Sequence, residues 1–409
     1  MTGPARTGGV SAWRFIVSFG TISLLADFVY EGARSITGPL LASLGATALV
    51  VGVVTGIGEA SALLLRLVSG PLTDRTQRFW AWTIAGYALT VITVPVLGLT
   101  GILWVACGLV IAERVGKAIR SPAKDTLLSF ATAAVGRGRG FAVHEALDSI
   151  GGIIGPLVVA GMLALTGGHY GPALGVLAFP GVAVLALLVR LRIRVPKPAA
   201  YEQPGTTPQG SSAGNPDQPV IRWWAAMPRQ FWIYSVFTAA TMVGFATFGV
   251  LSFHMVARGV LPAAVVPLIY AAAMLVGASA ALATGWAYDR IGPRVLIVLP
   301  ILAVAIPVVA FTNSRWWVIA GALLWGAAVG IQESTLRAVV ADLVVPDRRA
   351  SAYGLYAAVL GVATAGGGAL TGYLYEHTIT TLIIVVATVQ VLALVFLVVT
   401  TLRRPTPTT

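Results

Sequence analysis

The chain has 409 residues, of which 57% are hydrophobic and only 10% charged, with a mean hydropathy of +0.86. A soluble globular domain is about half apolar and about a quarter charged, so this composition excludes a water-soluble enzyme or scaffold and places the chain in lipid. The net charge of +12 raises nucleic acid or an anionic surface as a partner, but only if the basic residues cluster.

A bilayer core of about 30 Å takes about 20 apolar residues per spanning helix, which leaves room for about twelve. The apolar runs predict helices over 13–44, 47–70, 79–99, 101–122, 138–166 and 170–192, then 229–257, 262–287, 294–312, 315–341, 348–375 and 379–402. Arg6 and Arg14 precede the first run, but no short uncharged core with a small-residue cleavage site follows. Residues 15–44 therefore read as a retained helix. Cys107 is the single cysteine, so no disulfide forms within the chain. Residues 193–228 are rich in Pro, Gly, Ser and Gln without helical periodicity and read as a flexible linker. The predicted organisation is an N-terminal six-helix bundle over 1–192, the linker, and a C-terminal six-helix bundle over 229–409.

Most of the Lys and Arg residues, among them Arg75, Arg78, Arg137, Arg139, Arg190, Arg192, Arg194, Lys197, Arg348 and Arg349, fall at the termini or in alternate connectors. The opposite connectors hold only Arg258 and Arg315. That asymmetry is the positive-inside signature, and it predicts a multi-pass plasma-membrane protein with both termini cytoplasmic and no nucleic-acid partner. Trp13, Trp80, Trp82, Trp104, Trp223, Trp224, Trp316 and Trp317 lie near predicted helix ends, as an interfacial belt would.

Residues 70–80 read GPLTDRTQRFW and residues 285–294 read GWAYDRIGPR, so Gly70, Asp74 and Arg75 recur as Gly285, Asp289 and Arg290, 215 residues on. Arg139, Ala142 and Gly151 recur in the same order as Arg349, Ala352 and Gly361. Duplicated halves of a membrane protein point to a transporter whose substrate site lies between them. Gly70, Asp74, Arg75 and Arg78 resemble the Gly-x-x-x-Asp-Arg element between helices 2 and 3 of the major facilitator superfamily, echoed by Gly285, Asp289 and Arg290 between helices 8 and 9. The resemblance implies an all-α membrane fold of twelve transmembrane helices in two pseudo-symmetric six-helix bundles, with this element as a cytoplasmic gate. Gln77 stands where the family has a turn glycine, and Phe79 replaces a basic residue; the second copy keeps Gly292. In the fifth run, Gly151, Gly155 and Pro156 resemble the Gly-x-x-x-Gly-Pro bend of family members that export by antiport with protons. Small residues at this spacing permit close helix contact, and proline removes a backbone bond. The corresponding stretch of the eleventh run has Gly361, Ala365 and Gly366 without the proline. In the fourth run Arg114 matches the arginine of a third family element, whereas Lys117 and Ala118 replace its usual Gln-Gly pair.

Charges also lie inside the predicted spans. Asp27, Glu31 and Arg34 share one face of the first helix; Glu113, Lys117, Arg120 and Lys124 stripe the fourth; His144, Glu145 and Asp148 sit on the fifth. Glu59 and Arg66 lie on the second helix, and the C-terminal half offers mainly Glu333 and Arg337 on the tenth, with His254 on the seventh. An ionised residue at a helix centre costs roughly 2.5–3.5 kcal/mol if it faces lipid. These groups must therefore pair or line a hydrated cavity. Family geometry assigns Asp27, Glu31, Arg34, Glu113, Lys117, Arg120, Glu333 and Arg337 to that cavity, and Glu31, Glu145, Asp148 and Asp27, in that order, are the candidate proton carriers. Arg66, Arg114, Lys124 and Asp125 suit structural ion pairs equally well. Tyr30, Phe245, Tyr353 and Tyr356 are the aromatic candidates for contact with an organic substrate.

The expected function is proton-coupled efflux of a small organic compound by alternating access, by a monomer with no catalytic site, no resident metal and no cofactor beyond H⁺ as coupling ion. No Ser/His/Asp set, HExxH or phosphate loop is present to suggest an enzyme. Uptake of a polar or anionic metabolite is the alternative, since Arg34, Lys117 and Arg120 suit a carboxylate or phosphate. Divalent-metal export, through His144 and Asp148, is a lesser one.

Overall fold

The computed structural model describes residues 6–7, 10–201, 227–344 and 349–402. The helices are α1 (Ala12–Ser43), α2 (Ala48–Leu64), α3 (Arg66–Thr76), α4 (Phe79–Leu99), α5 (Leu103–Val135), α6 (Arg137–Leu165), α7 (Tyr170–Gly175) and α8 (Ala178–Arg194) in the first half. The second half has α9 (Arg229–Val243), α10 (Phe248–Ala257), α11 (Val266–Ile291), α12 (Val298–Ala310), α13 (Arg315–Leu343), α14 (Arg349–His377) and α15 (Ile379–Leu397). Besides short 3₁₀ and π turns, the described residues add only a two-residue hairpin, Arg6–Thr7 against Val10–Ser11. Each predicted run corresponds to one helix or to a broken pair, α2–α3, α7–α8 and α9–α10. The chain has the all-α fold expected of it.

Nine of the described helical segments are long and apolar enough to cross a bilayer. Of the other three spans, α5 carries Glu113, Arg114, Lys117 and Arg120 along its apolar part, α12 is a shorter apolar helix, and the side chains of 333–338 on α13 lie outside the described residues. Two predicted ends move. The second span continues to Thr76, so Gly70, Asp74 and Arg75 ride on a helix, and only Gln77 and Arg78 form the turn. The fourth continues to Val135, because Pro122 removes one backbone bond without stopping the helix. It ends instead at Gly136, whose φ of 98° needs a residue without a Cβ.

By contacts the chain groups into two compact units. The first comprises Met1–Gly45, Ser61–Pro208 and Pro262–Ala271. Its core joins Phe15, Phe19, Trp80, Tyr87, Leu127, Leu128, Leu188 and Tyr201, with the Tyr201 hydroxyl donating to the Val10 carbonyl at 3.0 Å. Here α1 lies flat against α6: a Cβ on Gly151 or Gly155 would overlap the carbonyl oxygen of Leu24 or Phe28. This is the close approach that the Gly-x-x-x-Gly spacing predicts.

The second unit comprises Ala46–Ala60, Gln209–Leu261 and Ala272–Thr409. Its distinctive feature is the break between α9 and α10, where residues 244–247 leave the helix. A break in an apolar core strands carbonyls that water cannot reach. Two side chains from elsewhere take them up: Gln390 Nε2 on α15 donates to the Thr241 carbonyl at 2.9 Å, and Trp325 Nε1 on α13 donates to that of Ala246 at 3.0 Å. Thr247 caps the restart, accepting from the Val250 amide. The first part of α2 belongs to this unit because Gly52 meets Gly368 of α14 backbone to backbone, while the Leu49 amide donates to the Glu376 carboxylate at 2.6 Å.

Candidate functional site

The polar residues of the first unit converge where α1, α5 and α6 meet. Glu31, 8% exposed, is the hub. Arg34, one turn on, reaches its carboxylate at 3.5 Å, and the buried Tyr270 hydroxyl from α11 donates to the other oxygen. Gly152 of α6 packs beside it: a Cβ there would stand 3.5 Å from Glu31 Cγ, an ordinary contact distance. About two turns earlier, Ser23 donates to Asp148 of α6, and the charges of Asp27, one turn before Glu31, and Asp148 act directly on one another.

Cations from α5 close the cluster. Tyr30, 1% exposed, has the Arg114 guanidinium 4.5 Å and the Lys117 ammonium 4.2 Å from its ring centroid. Such contacts strengthen when desolvated. Arg120, also buried, donates to Thr90 Oγ1 at 2.9 Å and lies 4.6 Å from the Tyr87 ring. Glu113 pairs with Arg114 at 3.3 Å, and Lys124 lies within electrostatic reach of Asp148. Asp27, Glu31 and Asp148 thus stand beside the cations of α5. A buried acid beside a cation that can move away is chemically able to gain and lose a proton as its surroundings change.

Other candidates fall elsewhere. Glu145 is exposed on α6, whereas His144 beside it is buried. Tyr356 is buried and stacked on Tyr234, with centroids 5.8 Å apart; Phe245 is buried in the α9–α10 break, and Tyr353 is exposed on α14. The side chains of Glu333 and Arg337 lie outside the described residues, as do Trp223 and Trp224. Asp74, Arg75, Arg78, Asp289 and Arg290 are exposed. In the second copy, Arg290 lies 3.5 Å over the Trp286 ring. Among the described residues no three His, Cys, Asp or Glu side chains come together as a metal site would need. Nothing in the local pattern marks Tyr270 or Tyr87 as members of the cluster: both sit in apolar runs where an aromatic is ordinarily core. Only a fold that brings residue 270 against residue 31 distinguishes them.

The family model described as Major Facilitator Superfamily matches residues 20–310 and 261–409. An uncharacterised protein of Mycobacterium tuberculosis is 64% identical over 98% of this chain and 97% of its own length. An uncharacterised MFS-type transporter of Methanocaldococcus jannaschii is 23% identical over 87% of each chain. Among solved structures, a mutant of the nucleoside transporter NupG superposes with a TM-score of 0.75 at 14% identity, covering 94% of this chain and all of that one. A bacterial homologue of the human lysosomal transporter Spinster gives 0.70 at 15% identity, covering 94% of each. These last two likenesses concern the fold alone. On the family match and the helical architecture together, the chain belongs to the Major Facilitator Superfamily and is a multi-pass membrane transporter of small molecules.

Proposed function

We propose that this transporter exports a small organic compound in exchange for protons, working by alternating access in the plasma membrane with both termini cytoplasmic. The observation that carries the reading is the Glu31 hub: a buried carboxylate on α1 held between Arg34 and Tyr270, with Asp27 and Asp148 beside it and the α5 cations facing it. In this reading Glu31 is the principal proton carrier, with Asp148 and Asp27 assisting, and Tyr30, Arg114, Lys117 and Arg120 form the wall that substrate touches. Glu145, being exposed, ranks below them. Export is favoured by Gly151 and Gly155, which bring α6 close to α1, followed by Pro156, in the pattern resembling proton antiporters of the family. Gly70, Asp74, Arg75 and Arg78, with Gly285, Asp289 and Arg290, act as the cytoplasmic gate, and Glu333 and Arg337 supply the second half's polar wall.

The test is transport in proteoliposomes under an imposed pH gradient, screened over a compound panel. The wild type is expected to move a compound against its gradient when protons flow the other way. Glu31→Gln, which keeps the shape and hydrogen-bonding capacity, is expected to lose pH-driven transport while the protein still inserts and purifies. Unchanged proton coupling in that variant would remove Glu31 from the mechanism. The cation density around Tyr30 favours a second reading, uptake of a polar or anionic metabolite; accumulation driven by an inward proton gradient, without drug tolerance on expression, would select it.

A further inference from the structure

A second site lies in the first unit, apart from the buried cluster. The start of α4, the last third of α5, the end of α8 and the segment 196–199 enclose a cleft of about 830 Å³, within the roughly 300–1,000 Å³ of ordinary ligand sites. Three cations line it, Arg78, Arg192 and Lys197, and no acid does. Among the described residues none of the three forms an ion pair. The start of α4 carries no side-chain cap, so the positive end of a 21-residue helix opens here as well. Trp80, 8% exposed, lines the cleft, and its buried indole N–H has no acceptor. The cleft also has an apolar side, formed by Phe130 and by Ile193, which is 73% exposed.

We propose that this cleft seats the phosphate headgroup of an anionic phospholipid. Three cations and a helix N-terminus without a single carboxylate recognise a phosphate diester. Basic pockets between transmembrane helices take such headgroups. The apolar side, at the border where α8 leaves the membrane, accepts the upper part of an acyl chain, which a soluble phosphate would leave wet. The indole N–H of Trp80 supplies a donor for an ester oxygen of the glycerol backbone. The site shares Arg78 with the proposed gate, but its other two cations, Arg192 and Lys197, have no part in that reading.

The test compares thermal unfolding of the full chain in phosphatidylcholine nanodiscs with and without phosphatidylglycerol. Phosphatidylglycerol is expected to raise the midpoint by about 5 °C, and inorganic phosphate to leave it in place. Arg192→Gln/Lys197→Gln is expected to lose most of that rise, and Trp80→Phe, which keeps the ring packing, part of it. Arg190→Gln/Arg194→Gln, an equal loss of charge at the end of α8 but outside the cleft, is expected to keep it. An equal loss in both double variants would reduce the effect to general surface charge and overturn the proposal. So would a full rise with inorganic phosphate, or none with phosphatidylglycerol. Lys197→Gln alone, at an exposed position, carries the same comparison if a double variant does not fold.

Discussion

Gln77 is the one described residue other than glycine in a left-handed conformation, with φ 52° and ψ 17°. Such backbone costs an L-residue roughly 1–2 kcal/mol, which is why a glycine is ordinary at this turn. The Gln77 side chain offsets part of the cost by donating from Nε2 to the Asp74 carbonyl at 2.7 Å, an orphan at the end of α3. The position equivalent by the repeat, Gly292, has φ 64°, so both copies place a residue of positive φ here. Gln77→Ala, which keeps the strain and loses the hydrogen bond, is expected to be less stable than Gln77→Gly by about 1 kcal/mol, read as the difference in thermal midpoint in one detergent. Equal midpoints would mean the turn is not strained. The charge stripe containing Glu31 was legible in its spacing; its partner Tyr270 was not, because 239 residues separate the two.

At the scale of helices, the apolar runs located every span because lipid leaves a backbone no alternative to internal hydrogen bonding. The α9–α10 break was invisible for the same reason turned round: it persists only because Gln390 and Trp325, far along the chain, satisfy the carbonyls it frees. The contact of α1 with α6 gives a sharper test. Gly155→Ala puts a methyl group into the Phe28 carbonyl, whereas Gly161, on the same helix, has open space around its missing Cβ. Gly155→Ala is expected to destabilise by roughly 1–3 kcal/mol and to slow transport several-fold. Gly161→Ala is expected to be neutral or slightly stabilising, since alanine is the better helix former. Thermal midpoints and initial transport rates of the two variants check this, and like behaviour would mean that α6 does not depend on close packing there.

For the whole molecule, the bias of basic residues toward alternate connectors gives a direct expectation about orientation. With Cys107→Ser as background, a cysteine at Ser211 is expected to react with a membrane-impermeant maleimide only in inverted vesicles, and one at Asn313 only in intact cells. The reverse pattern would invert the topology and move the proposed gate residues Asp74, Arg75 and Arg78 to the outside. The contact grouping adds what the repeat alone does not contain: Ala46–Ala60 packs with the second unit through Gly52 and Gly368, and Pro262–Ala271 with the first, carrying Tyr270 to Glu31.

The amino-acid sequence by itself determined the membrane setting, the helical spans, the duplication and the stripes of charge, because hydropathy, spacing and repetition are local properties read along one line. Tertiary structure alone decided which charges meet, that Tyr270 and Tyr87 join them, that Glu145 stays outside, and that three cations border an acid-free cleft at the end of α8. Those outcomes depend on close approach between helices distant in the chain, where a missing Cβ or a borrowed hydrogen bond fixes the contact and no local pattern records it.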